Sequence, residues 1–117
     1  MHALRFVLYA IATFIVVDGD TIKAPYGVTY RLMGFDAPET HRAKCDAERE
    51  LGLIAKQRLE ELLATSEVKV LESGKIDRYG RTLANVTANG RDVGAILIGE
   101  GLARPYFGKK RESWCGL

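Results

Sequence analysis

The chain has 117 residues, enough for one domain with a single core and too few for two. With 47% of the residues apolar and 27% charged, the composition is that of a globular protein and excludes a disordered one. A net charge of only +2 excludes a generally basic nucleic-acid binder, so any preference for an anionic partner must come from local placement of Arg and Lys.

Residues 3–17 are mostly apolar, but Arg5 interrupts them and the run falls short of a membrane span. Ala10-Ile11-Ala12 resembles a signal-peptidase site, yet the apolar stretch before it is short and lacks a basic leader. The preferred reading is a buried strand, Thr13-Phe14-Ile15-Val16-Val17, with the preceding residues as its lead-in. Asp18-Gly19-Asp20 interrupts the strand, Gly19 allowing a bulge or tight bend, and residues 21–24 resume as a second strand. Pro25-Tyr26-Gly27 turns the chain. The third strand spans 28–35, with Arg31 and Met33 on one face and Tyr30 and Leu32 on the other.

Asp36-Ala37-Pro38-Glu39-Thr40 reads as a loop, because the residue before proline is pushed out of helical geometry. A helix is predicted over 46–64, where Ala47, Leu51, Ile54, Ala55, Leu59, Leu62 and Leu63 recur at helical spacing. Residues 67–71 form a fourth strand, 74–80 a polar connection, and 82–87 a fifth strand ending at the Asn89-Gly90 turn. A short helix is predicted over 93–101, with Val93, Ile96, Leu97 and Leu102 facing inward. Residues 103–117 are basic, carry Tyr106, Phe107 and Trp114, and have no clear period. The predicted class is mainly β with helices (α+β). Five short strands with a long helix between the third and fourth fit a five-stranded OB-fold barrel, whose closure removes exposed edges.

Cys45 and Cys115 lack the spacing of a zinc site. They are either unrelated thiols or a disulfide tying the tail to the segment near Cys45, and the tail ending in Trp114-Cys115 favours the disulfide. Closing so long a loop adds on the order of 4 kcal/mol in the chain-entropy picture.

The chemistry centres on residues 16–40. Asp20 and Asp36 sit at strand ends separated by one hairpin, so a folded sheet can bring them together. Two carboxylates with a carbonyl and waters suit a hard cation such as Ca²⁺, and no His or Cys within residues 16–40 favours zinc or copper. Read alone, Asp-Gly-Asp-Thr equally describes a plain turn. Glu39 is within reach of a water beside such a cation and has the chemistry of a general base. Its alternative role is helix N-terminal charge or a surface ion pair. Arg31 and Arg81 come from separate strands and together would clamp a phosphate. Arg78, Tyr79, Tyr106, Lys109, Lys110 and Arg111 make a basic rim with aromatic faces for stacking bases, or an ordinary solvated surface. Asp18 is a second possible ligand or a partner to one, and Asp77 and Gly80 shape the turn before Arg81.

Val-Asp-Gly-Asp-Thr (17–21), Arg-Leu-x-Gly-x-Asp-x-Pro-Glu-Thr (31–40), Asp-Arg-Tyr-Gly-Arg (77–81) and Gly-Leu-Ala (101–103) resemble the staphylococcal nuclease (thermonuclease) family. They do so in order, at compatible spacing, over residues 16–106. The resemblance implies an OB-fold, Ca²⁺-dependent phosphodiesterase that cleaves DNA and RNA, leaving 3′-phosphate and 5′-hydroxyl ends. It implies Asp20, Asp36 and the Ala37 carbonyl as metal ligands, Ala standing where the prototype has Thr. It implies Glu39 as general base, Arg31 and Arg81 as phosphate-binding arginines, and Arg78, Tyr79 and Tyr106 as substrate contacts.

Two departures accompany it. The chain ends soon after Tyr106, so the prototype's last helix is expected to be missing, with Tyr106 or Phe107 replacing its later tyrosines. The cysteine pair is also absent from the prototype. A monomer acting on DNA or RNA is expected, with no membrane or protein partner. A disulfide and a damaging nuclease both suggest export, secreted or periplasmic. The competing class is an inert OB module that only binds nucleic acid or protein. Such modules usually lose the acidic and arginine positions, all five of which stand here.

Overall fold

The β-branched and aromatic runs become short strands that pair mainly with their neighbours along the chain. A computed structural model describes residues 6–9, 14–65 and 67–116. In order they form β1 (Phe6–Tyr9), β2 (Ile15–Asp18), β3 (Thr21–Lys23), β4 (Thr29–Leu32), β5 (Phe35–Asp36) and α1 (Asp46–Thr65). There follow β6 (Val68–Ile76), β7 (Thr82–Ala88), β8 (Arg91–Asp92), α2 (Val93–Gly99) and β9 (Arg104–Pro105). The class is mixed α+β, as read from the sequence, with the long helix between the third predicted strand and the fourth.

The main sheet runs β1-β6-β7-β4-β3-β2, β8 adds to β7, and β5 pairs separately with β9. Every ladder is antiparallel except β4 against β7. Among the described residues no ladder joins β1 to β2, so hydrogen bonding does not close the sheet. The residues read as a lead-in include β1, which pairs Phe6 to Leu71 and Tyr9 to Val68 along β6, covering an otherwise open edge. The Ala10-Ile11-Ala12 triplet and Thr13 lie outside the described residues.

The third predicted strand breaks in two. Gly34 takes φ +90°, a left-handed conformation that favours glycine, and redirects Phe35 and Asp36 to pair with Pro105 and Arg104. The face assignment around Arg31 stands: Tyr30 and Leu32 are buried, while Arg31 and Met33 are partly exposed. Val16, Ile22, Tyr30, Leu32, Val70 and Val86 of the sheet pack with Leu59, Leu63 and Leu97 of the helices into one core. Each such side chain contributes about 1.5–3 kcal/mol by leaving water. The Tyr30 hydroxyl donates to Glu72 at 2.5 Å and shares a 2.7 Å hydrogen bond with Tyr26, so its polar end is satisfied.

In α1 the inward stripe is Glu48, Gly52, Ala55, Leu59, Leu62 and Leu63; Ala47 and Ile54, read as inward, are exposed. The shift has a cause. The α1 backbone at Gly52 lies directly against the loop at 38–39, and Glu48 points inward to bind that loop. Helix α2 is capped by Asp92, whose side chain accepts from the Ala95 amide at 3.0 Å, and it buries Val93, Ile96 and Leu97. Among the described residues no helix is long and apolar enough to cross a membrane.

Candidate active site

Strand register builds the site. Pairing of β3 with β4 sets Thr21 opposite Arg31, and parallel pairing of β4 with β7 sets Tyr30 opposite Thr82, the residue after Arg81. A bulge between Val16 and Asp18 displaces the β2 end, so the tight turn at Gly19 carries Asp20 inward. Gly19 is required there: a Cβ would lie 2.9 Å from the Ala37 methyl and 3.0 Å from that of Ala55.

Asp20 and Asp36 are buried, 6% and 3% exposed, and converge on one guanidinium nitrogen. Arg31 Nη2 lies 3.6 Å from Asp20 Oδ2 and 4.0 Å from Asp36 Oδ1, while its Nη1 donates to the Leu32 carbonyl at 2.5 Å. Asp20 also accepts from the Ala37 amide at 2.9 Å and the Thr21 hydroxyl at 3.1 Å. Burial nevertheless pushes its carboxyl above the ordinary range, against the opposing pull of Arg31 and the Ala37 N–H.

Asp36 Oδ2 accepts from the Trp114 indole N–H at 3.0 Å. Its buried Oδ1 is ion-paired with Arg111, 2.7 Å from Nε, though no donor is aligned on it for a hydrogen bond. Glu39 is partly buried; its Oε2 accepts from Arg111 Nη1 at 3.1 Å, and its amide donates to Glu48 at 2.9 Å. Burial raises the Glu39 carboxyl, as does the Asp18 charge, and Arg111 partly offsets both.

Arg81 stands one step further out. Asp77 accepts from its Nε at 2.8 Å, and its Nη1 reaches the Thr21 hydroxyl at 3.5 Å, the hydroxyl that donates to Asp20. The Asp77 side chain also accepts from the amides of Tyr79 and Arg81, each at 2.9 Å, which builds the turn. Gly80 sits in it at φ +83°. Although desolvation raises the Asp77 carboxyl, the Arg81 and Tyr79 hydrogen bonds leave it below its ordinary value. Arg78 and Tyr79 lie at the exposed tip, with the Arg78 guanidinium 5.1 Å above the Tyr79 ring. Tyr106 is half-buried and its amide donates to the Gly34 carbonyl at 3.0 Å; Phe107 beside it is 84% exposed.

Asp18 holds the loop: its Oδ1 accepts from the Thr40 amide at 3.0 Å and hydroxyl at 2.7 Å. The sequence reading missed Glu48, which accepts from the amides of Glu39 and Lys44, each at 2.9 Å. Its signal was present, an acid in the third position of a helix as in a capping box, but without Ser or Thr before it. Arg111 and Trp114 were also not singled out for the carboxylates. The Cys45 and Cys115 sulfurs lie 2.14 Å apart as a disulfide, and this brings the tail to the site.

The donor set fits a hard divalent cation. It offers two buried carboxylates turned to the same point, hard oxygen donors, one of them with an oxygen that accepts no aligned hydrogen bond. Among the described residues no group of three or more His, Cys, Asp or Glu side chains clusters as for a metal. Water and a substrate oxygen would therefore have to complete the coordination.

Residues 29–114 match the family model described as staphylococcal nuclease homologue, a stretch holding Arg31, Asp36, Glu39 and Arg81. Over 97 residues the chain is 40% identical to the SPbeta prophage-derived endonuclease YokF of Bacillus subtilis, covering 78% of this chain and 32% of that protein. It is 39% identical over 97 residues to endonuclease YncB of the same organism, covering 78% and 45%. To the thermonuclease of Staphylococcus intermedius it is 34% identical over 96 residues, covering 79% and 56%. The chain thus spans between a third and just over half the length of these curated relatives. With its matched motifs folded around one carboxylate–guanidinium cluster, the chain belongs to the staphylococcal nuclease homologue family.

Proposed function

We propose that the protein is a Ca²⁺-dependent phosphodiesterase hydrolysing DNA or RNA at the 5′-O–P bond and leaving 3′-phosphate ends. The observation that carries this reading is the convergence of buried Asp20 and Asp36 on Arg31, with Glu39 linked to the same cluster through Arg111. The relatives named as endonucleases and thermonuclease support the same reaction class.

Asp20, Asp36 and the Ala37 carbonyl would hold the cation, which supplies charge neutralisation at the phosphoryl oxygens when bound. Glu39 takes a proton from the attacking water as the new O–P bond forms and the P–O5′ bond breaks. Arg31 and Arg81 hydrogen-bond the crowded phosphoryl oxygens, and one of them steadies the leaving 5′-oxygen. Asp77 orients Arg81, and Glu48 fixes the backbone that carries Glu39. Arg78, Tyr79 and Tyr106 contact the flanking nucleotides. We read the sheet as the OB barrel, since its two ends, β1 and β2, are consecutive in the chain. A disulfide suits a secreted or periplasmic monomer.

Plasmid nicking tests this, with Ca²⁺ and with chelator, on the wild type, Glu39→Gln and Arg31→Lys. Lysine keeps the charge and loses the planar fork, so Arg31→Lys should slow cleavage roughly 10²–10³-fold. Full cleavage in chelator, or wild-type rates in both variants, would refute the site. A gel shift without any calcium-dependent product would leave an inert binding module instead.

A further inference from the structure

We propose that Arg111 is a third guanidinium of the substrate site, binding a phosphate of the nucleic-acid strand, and that the Cys45–Cys115 disulfide is the tether that puts it there. The inference rests on the nucleic-acid reading above. Residues 106–116 have no helix or strand, and 107–113 are exposed, so the segment has little packing of its own to fix its course.

Cys115, Trp114 and Arg104 supply what packing does not. The disulfide ties Cys115 to the residue before α1, with the two Cα atoms 5.9 Å apart. Trp114 lies under the Arg104 guanidinium, 3.7 Å from ring centroid to Cζ, and its N–H donates to Asp36. Arg104 Nη1 also donates to the carbonyls of Glu112 at 3.3 Å and Ser113 at 2.9 Å. The product is a positioned Arg111: Nε is 2.7 Å from Asp36, Nη1 is 3.1 Å from Glu39, and the side chain stays 42% exposed. A guanidinium fixed between the two acids and open on its other side presents its remaining donors to a ligand.

The tail and the start of α1 enclose a cleft of about 790 Å³, lined by Glu39, Arg42, Lys44, Lys110, Arg111 and Trp114. That is the size of a small-ligand site. Two further acids line it: Glu48 is engaged by the Glu39 and Lys44 amides, and Glu112 lies 3.8 Å from Arg104. Four cations against three acids leave the lining a slight cationic excess, which suits an anionic ligand. Glu39 lines the cleft and is joined through Arg111 to Asp36, so the cleft adjoins the carboxylate cluster. Arginine stays charged in any accessible pH range, so the role is phosphate binding and not proton transfer.

The test uses the full chain and a fluorescent single-stranded oligodeoxynucleotide, with anisotropy read in chelator across a salt series and plasmid nicking read in Ca²⁺. Arg111→Ala should weaken oligonucleotide binding about tenfold and reduce the salt slope by about one unit. Arg111→Lys should recover part of the affinity. The Cys45→Ser/Cys115→Ser protein should weaken binding as Arg111→Ala does, and combining all three substitutions should weaken it no further. Treating the wild type with dithiothreitol, with circular dichroism showing that it stays folded, should reproduce that loss. Unchanged or tighter binding by Arg111→Ala overturns the inference, tighter binding marking the tail as a plug. Additive losses, or no binding by the wild type at low salt, also overturn it. If the wild type binds as expected but cleaves nothing, the nuclease reading falls and the phosphate site stands.

Discussion

Replacing Gly52 by alanine tests how tightly helix α1 sets the position of Glu39. The new Cβ would lie 2.4 Å from the Glu39 carbonyl oxygen, 2.8 Å from its carbon and 3.0 Å from the Pro38 carbonyl oxygen. All three are backbone atoms, so no side chain can swing away. Either α1 or the loop must move by more than half an ångström to restore ordinary contact at about 3.4 Å. Overpacking of this kind costs about 1–3 kcal/mol, while alanine regains about 1 kcal/mol of helix propensity over glycine. The net is a loss of about 0–2 kcal/mol, worth a few degrees in Tm for a chain of this size. Activity should suffer far more, because a misplacement of about 1 Å at a reacting group can cost about 10²-fold. Gly99 provides the control: in α2 nothing lies within 4 Å of its added Cβ, so Gly99→Ala should leave nicking unchanged. Thermal melts followed by circular dichroism and initial rates of plasmid nicking give both numbers. A Gly52→Ala protein with wild-type rate would refute the claim that the α1 backbone fixes Glu39 for catalysis.

Asp77 has a folded-state carboxyl below its ordinary value of 3.8, so its stabilisation is present above pH 3.8 and is lost as pH falls through the depressed value. Asp77→Asn should therefore destabilise at pH 7 and converge on the wild type in strong acid, read from urea midpoints across pH; a pH-independent gap would contradict this. Asp20 carries a desolvated charge, so Asp20→Asn should be neutral to stabilising in chelator, yet should abolish any rise in Tm that millimolar Ca²⁺ gives the wild type. An equal calcium-dependent rise in both proteins would remove Asp20 from the cation site.

Helix positions and most of the core were legible because burial in them follows the local period. Leu59, Leu62 and Leu63 fall on one helical face and Tyr30 and Leu32 on one strand face, and all are buried. What escaped was set by partners distant in sequence. The strand over 28–35 reads as continuous, yet it turns at Gly34 because Phe35 and Asp36 find a partner in β9. The stretch 74–80 reads as a polar connection, yet β6 continues to Ile76, which pairs with Thr82 beyond an irregularity. Its exposed residues bury neither face, so no period marks it. Lys109, Lys110 and Arg111 read together as a basic rim for nucleic acid or an ordinary solvated surface, since nothing local distinguishes Arg111 from its neighbours. Only the anchors at Trp114 and Cys115 select it, and their partners, Asp36 and Cys45, lie far back in the chain.

The cluster carries more negative than positive charge. Asp20, Asp36 and Glu39 bring three negative charges to a space where Arg31 and Arg111 bring two positive ones. Arg81 does not correct the balance, because Asp77 already engages it at 2.8 Å, and Asp18 beside Glu39 adds to the excess. Desolvation and like charge both raise Glu39, and the same two influences act on Asp20, where Asp36 is the neighbouring acid. A fold selected only for stability would replace such acids with apolar residues of similar volume, which is commonly neutral or stabilising. Retaining them makes sense when positive charge arrives from outside, as the proposed divalent cation would supply it.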